Sequence, residues 1–164
     1  MIYGMTSLTF VHVVLSLIGI VSGFVVMLGM FAVKRLDFFT AIFLVSTVLT
    51  SVTGFLFPFH EFLPSHGVGI VSLIALAIAI YARYAGHLIH AWRATYVTTA
   101  MVALYLNVFV LIVQLFHKVP ALKAIDPAQS AIFFKAAQGI TLVLFILLTI
   151  LAVRRFKIHQ QNLA

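Results

Sequence analysis

Five stretches of this chain are apolar over lengths that match a lipid bilayer, and nothing else in the sequence constrains the fold as strongly. They run from about Thr6 to Val33, Phe38 to Phe57, Gly67 to Tyr84 (with His90 as the outer limit), Thr95 to Phe116 and Ala131 to Val153. A hydrocarbon core about 30 Å thick takes about 20 apolar residues in helical form. Lipid offers backbone groups no partner, so each run must close its hydrogen bonds internally. Barrel strands would alternate apolar and polar residues, and these runs are continuous. The expected fold is all-α: a polytopic transmembrane helical bundle of five spans, or four if one run re-enters, in a single domain covering residues 1–164.

Charge then sets the expected orientation. Only 8% of residues are charged, against about 25% in a soluble domain. The net charge of +7 does not point to nucleic acid, because the basic residues sit in short runs between apolar segments. Lys34, Arg35, Arg83, Arg93, Arg154, Arg155 and Lys157 fall on one side of a five-span chain, and Lys118, Lys123 and Lys135 on the other. The bias predicts a cytoplasmic C-terminus and an outside N-terminus. Tyr81, Tyr84, Trp92 and Tyr96 are expected as an aromatic belt at the inner interface, with Phe57, Phe59 and Phe62 at the outer one. The first run has no basic stretch before it and is too long for a signal-peptide core, so it reads as a retained helix. The chain has no cysteine, which excludes disulfides, thiolate metal ligation, c-type haem attachment and thiol catalysis.

Small and hydroxylic residues mark the packing faces. Ser16, Gly19 and Gly23 follow His12 at helical spacing, and Gly19 and Gly23 form a GxxxG pair that lets a neighbour approach closely. Thr40, Thr47, Ser51 and Gly54 form a matching face on the second run, and the two faces are expected to meet. Asn107 and Gln114 share a face of the fourth run, and Gln138 lies early in the fifth. Such amides are expected to point inward and bond another helix, each worth about 1 kcal/mol or less. Pro120 and Pro127 break the connection from Lys118 to Ser130, which holds Asp126 and is expected to lie across the outer face.

The polar groups with chemical potential gather at the expected outer end. They are His12, the loop residues His60 and Glu61 between Pro58 and Pro64, His66 just after them, then Gln114, His117, Gln138 and Asp126. Ionisable groups at membrane depth are costly and are usually functional. Haem b needs neutral imidazoles from different helices at similar depth, which His12 with His66 or His117 would supply. A divalent metal needs three or four ligands, and His60, Glu61, His66 and His117 offer suitable nitrogen and oxygen donors. Histidine beside Glu61 also makes a proton-accepting pocket. The plain structural alternative is that these groups cap helix ends or pair with Lys118 and Lys123. At the other end, Arg83, His87 and His90 would stack on one helical face as a basic collar at anionic headgroups. No nucleophile, metalloprotease or phosphate-loop motif is present.

The segments Phe10-Val-His12-Val-Val-Leu-Ser-Leu-Ile-Gly19, Leu49-Thr-Ser-Val-Thr-Gly54-Phe-Leu-Phe-Pro58, Ala82-Arg83-Tyr84 and Leu104-Tyr-Leu-Asn107-Val-Phe-Val, with Lys118-Val-Pro-Ala-Leu, resemble a family of small bacterial inner-membrane proteins. The resemblance covers most of the chain and implies a bacterial envelope protein. A histidine early in the first helix, with Thr-Gly ending the second, is more distantly similar to cytochrome b561-like haem-associated bundles. The functional expectations are therefore a histidine-lined outer site for haem or a metal, in electron transfer or oxidase maturation; a cofactor-free interaction subunit, homo-oligomeric or bound to other membrane subunits; or a proton or ion pore.

Overall fold

The computed structural model describes residues 7–57, 64–124 and 127–156. Its elements are α1 (Ser7–Phe31), α2 (Asp37–Gly54), α3 (Pro64–Ile80) with a π-helical turn (Tyr81–Ala85), α4 (Ala91–Lys118), the short α5 (Pro120–Lys123) and α6 (Pro127–Arg155). Five of these helices, α3 counted with its π-turn, are long and apolar enough to cross a membrane. The chain is thus an all-α, polytopic helical membrane protein.

Proline positions the breaks. Pro64, Pro120 and Pro127 each open a helix, where the missing N–H is no loss and φ is already near the helical value. Consecutive spans pack in turn, and α1 also touches α4, so α1 to α4 close into a ring. The long α6 leans on α4 and α1 from outside. The ring is filled by Met27, Met30, Phe43, Leu76, Ala79, Val97, Met101 and Leu104. Gly23 permits this closeness: a Cβ there would lie 2.6 Å from the Leu104 side chain and 3.0 Å from Phe43.

Three hydroxyls of α2 do not break the helix, because each returns its proton to its own backbone. Ser46 donates to the Ile42 carbonyl, Thr50 to Ser46 and Thr53 to Leu49. In lipid this local bond removes the donor that would otherwise be stranded. The end of α6 is closed from α4: Arg93 donates to the Val153 carbonyl at 2.8 Å and also to that of Phe156. A guanidinium there satisfies carbonyls that the helix leaves open and meets the negative end of its dipole.

The third helix departs from expectation at its C-terminal end. It does not continue to His90. The Gly86 N–H bonds back five residues to the Tyr81 carbonyl at 2.8 Å, and the chain then turns through His87 (φ 49°), Leu88 (φ 59°) and His90 (φ 46°). Arg83, His87 and His90 therefore do not stack. Arg83 is buried, whereas His87 and His90 are exposed. Gly86 is required by close approach, since a Cβ would fall 2.5 Å from Trp92 Cγ and 2.9 Å from the Ala82 carbonyl oxygen.

Candidate functional site

The side chains with chemical potential fall into three groups along α2. The first lies at its C-terminal end. The His12 Nδ1 of α1 is 2.9 Å from Thr53 Oγ1. The Thr53 hydroxyl already gives its one proton to backbone, 2.7 Å from the Leu49 carbonyl oxygen. It can only accept from histidine. His12 is thus held as the Nδ1–H tautomer, which leaves Nε2 as the nitrogen with a lone pair. The ring is fixed further by Phe57, edge-on at 5.2 Å, and by Gly54, whose missing Cβ would sit 3.7 Å from His12 Cε1. His66, at the start of α3, is buried and stacks on Phe55 at 5.7 Å. Both imidazoles therefore pack on the closing turn of α2.

The second group lies mid-bundle. Asn107 Nδ2 of α4 donates to Thr47 Oγ1 at 3.2 Å. Gly19 of α1 faces both, since a Cβ there would be 3.0 Å from Thr47 Oγ1 and 3.3 Å from Asn107 Nδ2. One turn along, Ser51 donates to Ser72 of α3 at 3.2 Å. Ser16 donates to its own helix at Val13, and Ser51 meets α3 rather than α1. The Gln138 amide of α6 donates to the Phe109 carbonyl at 3.1 Å.

The third group surrounds the start of α2. Arg83 is 3% exposed and donates to Asp37 Oδ1, which Arg35 also approaches at 3.8 Å. The Arg83 guanidinium lies over the Tyr96 ring at 5.2 Å and near the Tyr84 ring at 5.9 Å. Tyr96 is 1% exposed, so it belongs to the core and not to the expected aromatic belt. Tyr81 and Trp92 do pair at that end, edge to face at 5.1 Å. Arg83 Nε and the Tyr96 hydroxyl are buried without a hydrogen-bond partner among the described residues.

Of the expected site residues, His12 and His66 come to one end of one helix. His117 is exposed at the end of α4, and Gln114 is exposed as well. The inward orientation expected for Gln114 is not found: its side chain is exposed although it shares a face of α4 with Asn107. His60, Glu61 and Asp126 lie outside the described residues. Among those described, no three histidine, aspartate or glutamate residues form a metal-binding group. The Asp37–Arg83–Tyr96 cluster was not read from the sequence. The available signal was Asp37 itself, one of three carboxylates in the chain, placed among cations.

Comparison with protein-family models, curated proteins and solved structures finds no match to this chain.

Proposed function

We propose that this is a small bacterial inner-membrane protein, N-terminus outside, whose outer histidine site receives a haem or a divalent metal, in electron transfer or oxidase maturation. The reading is carried by the His12–Thr53 hydrogen bond. A ligating imidazole characteristically donates its second N–H to a fixed acceptor, which sets the tautomer and the ring plane. Haem iron and zinc both take a neutral imidazole nitrogen. The burial of His66 beside the same turn supports a second ligand, and His60 and Glu61, a few residues before it in sequence, are donor types that suit a metal. A bound haem would supply a one-electron couple, while His12 would bind and orient it.

The test is an absorption spectrum and elemental analysis of the full chain, purified in mild detergent from cells supplied with a haem precursor. A Soret band or stoichiometric metal that is lost in His12→Ala and kept in His90→Ala is the expected result. Colourless, metal-free protein overturns the reading and leaves a cofactor-free interaction subunit.

A second reading is favoured by the polar seam that α2 carries from Thr53 through Ser51 and Thr47 to Thr40 and Asp37. Such a line suits proton movement. Proton flux into liposomes that falls in Asn107→Leu would support it, and impermeable liposomes would end it.

A further inference from the structure

We infer that the groove between α2 and α3 binds one anionic phospholipid, with an acyl chain along the groove and its phosphate at Arg35 and Tyr84. This inference is independent of the histidine site.

The groove holds about 340 Å³ and is lined by Ala41, Val45, Val48, Leu49, Ile80 and Tyr84. Its wall is almost wholly apolar and faces outward from the bundle, which suits a hydrocarbon chain and no polar ligand. Its Tyr84 end lies beside the buried Arg83 and its partners. Tyr84 adjoins the Arg83 guanidinium, Arg83 pairs with Asp37, and Asp37 is shared with Arg35. Two guanidinium groups thus divide one carboxylate, which leaves one positive charge uncompensated. Burial confines Arg83 to its existing partners, so the spare charge belongs to Arg35, whose side chain is 47% exposed. Exposed Lys34 adds to the same potential.

A groove that is apolar along its length and cationic at one end matches an anionic phospholipid in both parts. Half-exposed Tyr84 adds a phenol at headgroup level, where amphipathic aromatic rings settle. A zwitterionic lipid would fill the groove but would leave the charge unmatched. Each interfacial cation contributes about 1 kcal/mol toward anionic lipid, which corresponds to roughly fivefold in affinity.

Native mass spectrometry of the full chain in detergent tests this, titrating phosphatidylglycerol against phosphatidylcholine with identical acyl chains. One saturable phosphatidylglycerol should bind, at least fivefold tighter than phosphatidylcholine. Arg35→Gln should remove that preference. Val45→Trp, which fills the groove from an exposed position, should weaken both lipids. Removing two tail charges in Arg154→Gln/Arg155→Gln should change neither. Equal binding of the two lipids, unchanged binding in Val45→Trp, or a loss in the tail variant equal to that in Arg35→Gln would each overturn the inference.

Discussion

Asn107 on α4 reaches Thr47 on α2 across a gap that exists only because Gly19 on α1 has no side chain. Three helices are thereby tied at one point in the middle of the bundle. Thr47 is wholly buried, so its hydroxyl has no water as an alternative. Asn107→Ala and Thr47→Val should each destabilise the protein by about 1 kcal/mol, with a coupling of about 0.6 kcal/mol between them. Reversible unfolding in mixed detergent micelles measures both, and strict additivity would show that the bond carries no weight.

Glycine substitutions should separate by what each methyl group meets. Gly86→Ala drives a Cβ against backbone as well as the Trp92 ring, and overpacking of this kind costs about 1–3 kcal/mol. Gly23→Ala meets the side chains of Leu104 and Phe43, both buried in the ring, and should cost a similar amount through overpacking alone. Gly139→Ala has nothing within 4 Å and should be neutral or stabilising, since alanine is the better helix former. Thermal denaturation in detergent gives the order directly.

Arg83→Ala should destabilise by about 3 kcal/mol, because it empties a filled, buried site against the Tyr96 ring, while exposed Asp37 returns to water. Asp37→Asn should cost less, since that side chain is 72% exposed and water replaces part of the pairing. The double variant should fall short of the sum. If Asp37→Asn proved the more harmful, the charge of Arg83 would depend on Asp37 more heavily than the exposure implies.

Strain at the turns gives a stabilising prediction. The N–H of Lys34 closes α1 onto the Gly29 carbonyl through Val33 at φ 56°, a position that normally holds glycine. His90 combines φ 46° with ψ −122°. Val33→Gly and His90→Gly should each raise stability by about 1 kcal/mol, offset in part by the greater freedom of glycine in the unfolded chain. A lowered melting temperature in both would show that these side chains contribute contacts that outweigh the strain.

The proposed orientation is testable because the chain has no cysteine. Single cysteines at Lys34 and Arg155 should resist a membrane-impermeant maleimide in intact spheroplasts, while Ser65→Cys should react. The reverse pattern would invert the topology and move the histidine end to the cytoplasm.

The spans were legible because lipid leaves a helix no choice: an apolar run of sufficient length must close its own hydrogen bonds. The packing residues Gly19, Gly23 and Thr47 were legible for a related reason, since only small or hydroxylic side chains allow such approach. Arg83 was not. In a one-dimensional reading, an arginine near a run's end belongs to the headgroup collar, and nothing local announces that Asp37, 46 residues away, will draw it inside. The path after Ala85 was hidden for a different reason. A π-turn followed by left-handed histidine and leucine runs against local preference, so a helical extrapolation carried His87 and His90 onto the wrong surface. His12 stands out in the sequence, but its tautomer depends on the Thr53 proton going to a backbone carbonyl and not to the ring.

Arg93 grips the carbonyls of Val153 and Phe156, and among the described residues the buried apolar side chains of α6 are Phe145 and Ala152, in its second half, with Phe156 just beyond its end. The helix is consequently fastened like a mast stepped at its foot. Toward Pro127 the hold on α4 passes to the Gln138 amide and to Phe134, edge-on against Phe116, so the first half of α6 touches its neighbour through single side chains where its foot is locked through backbone.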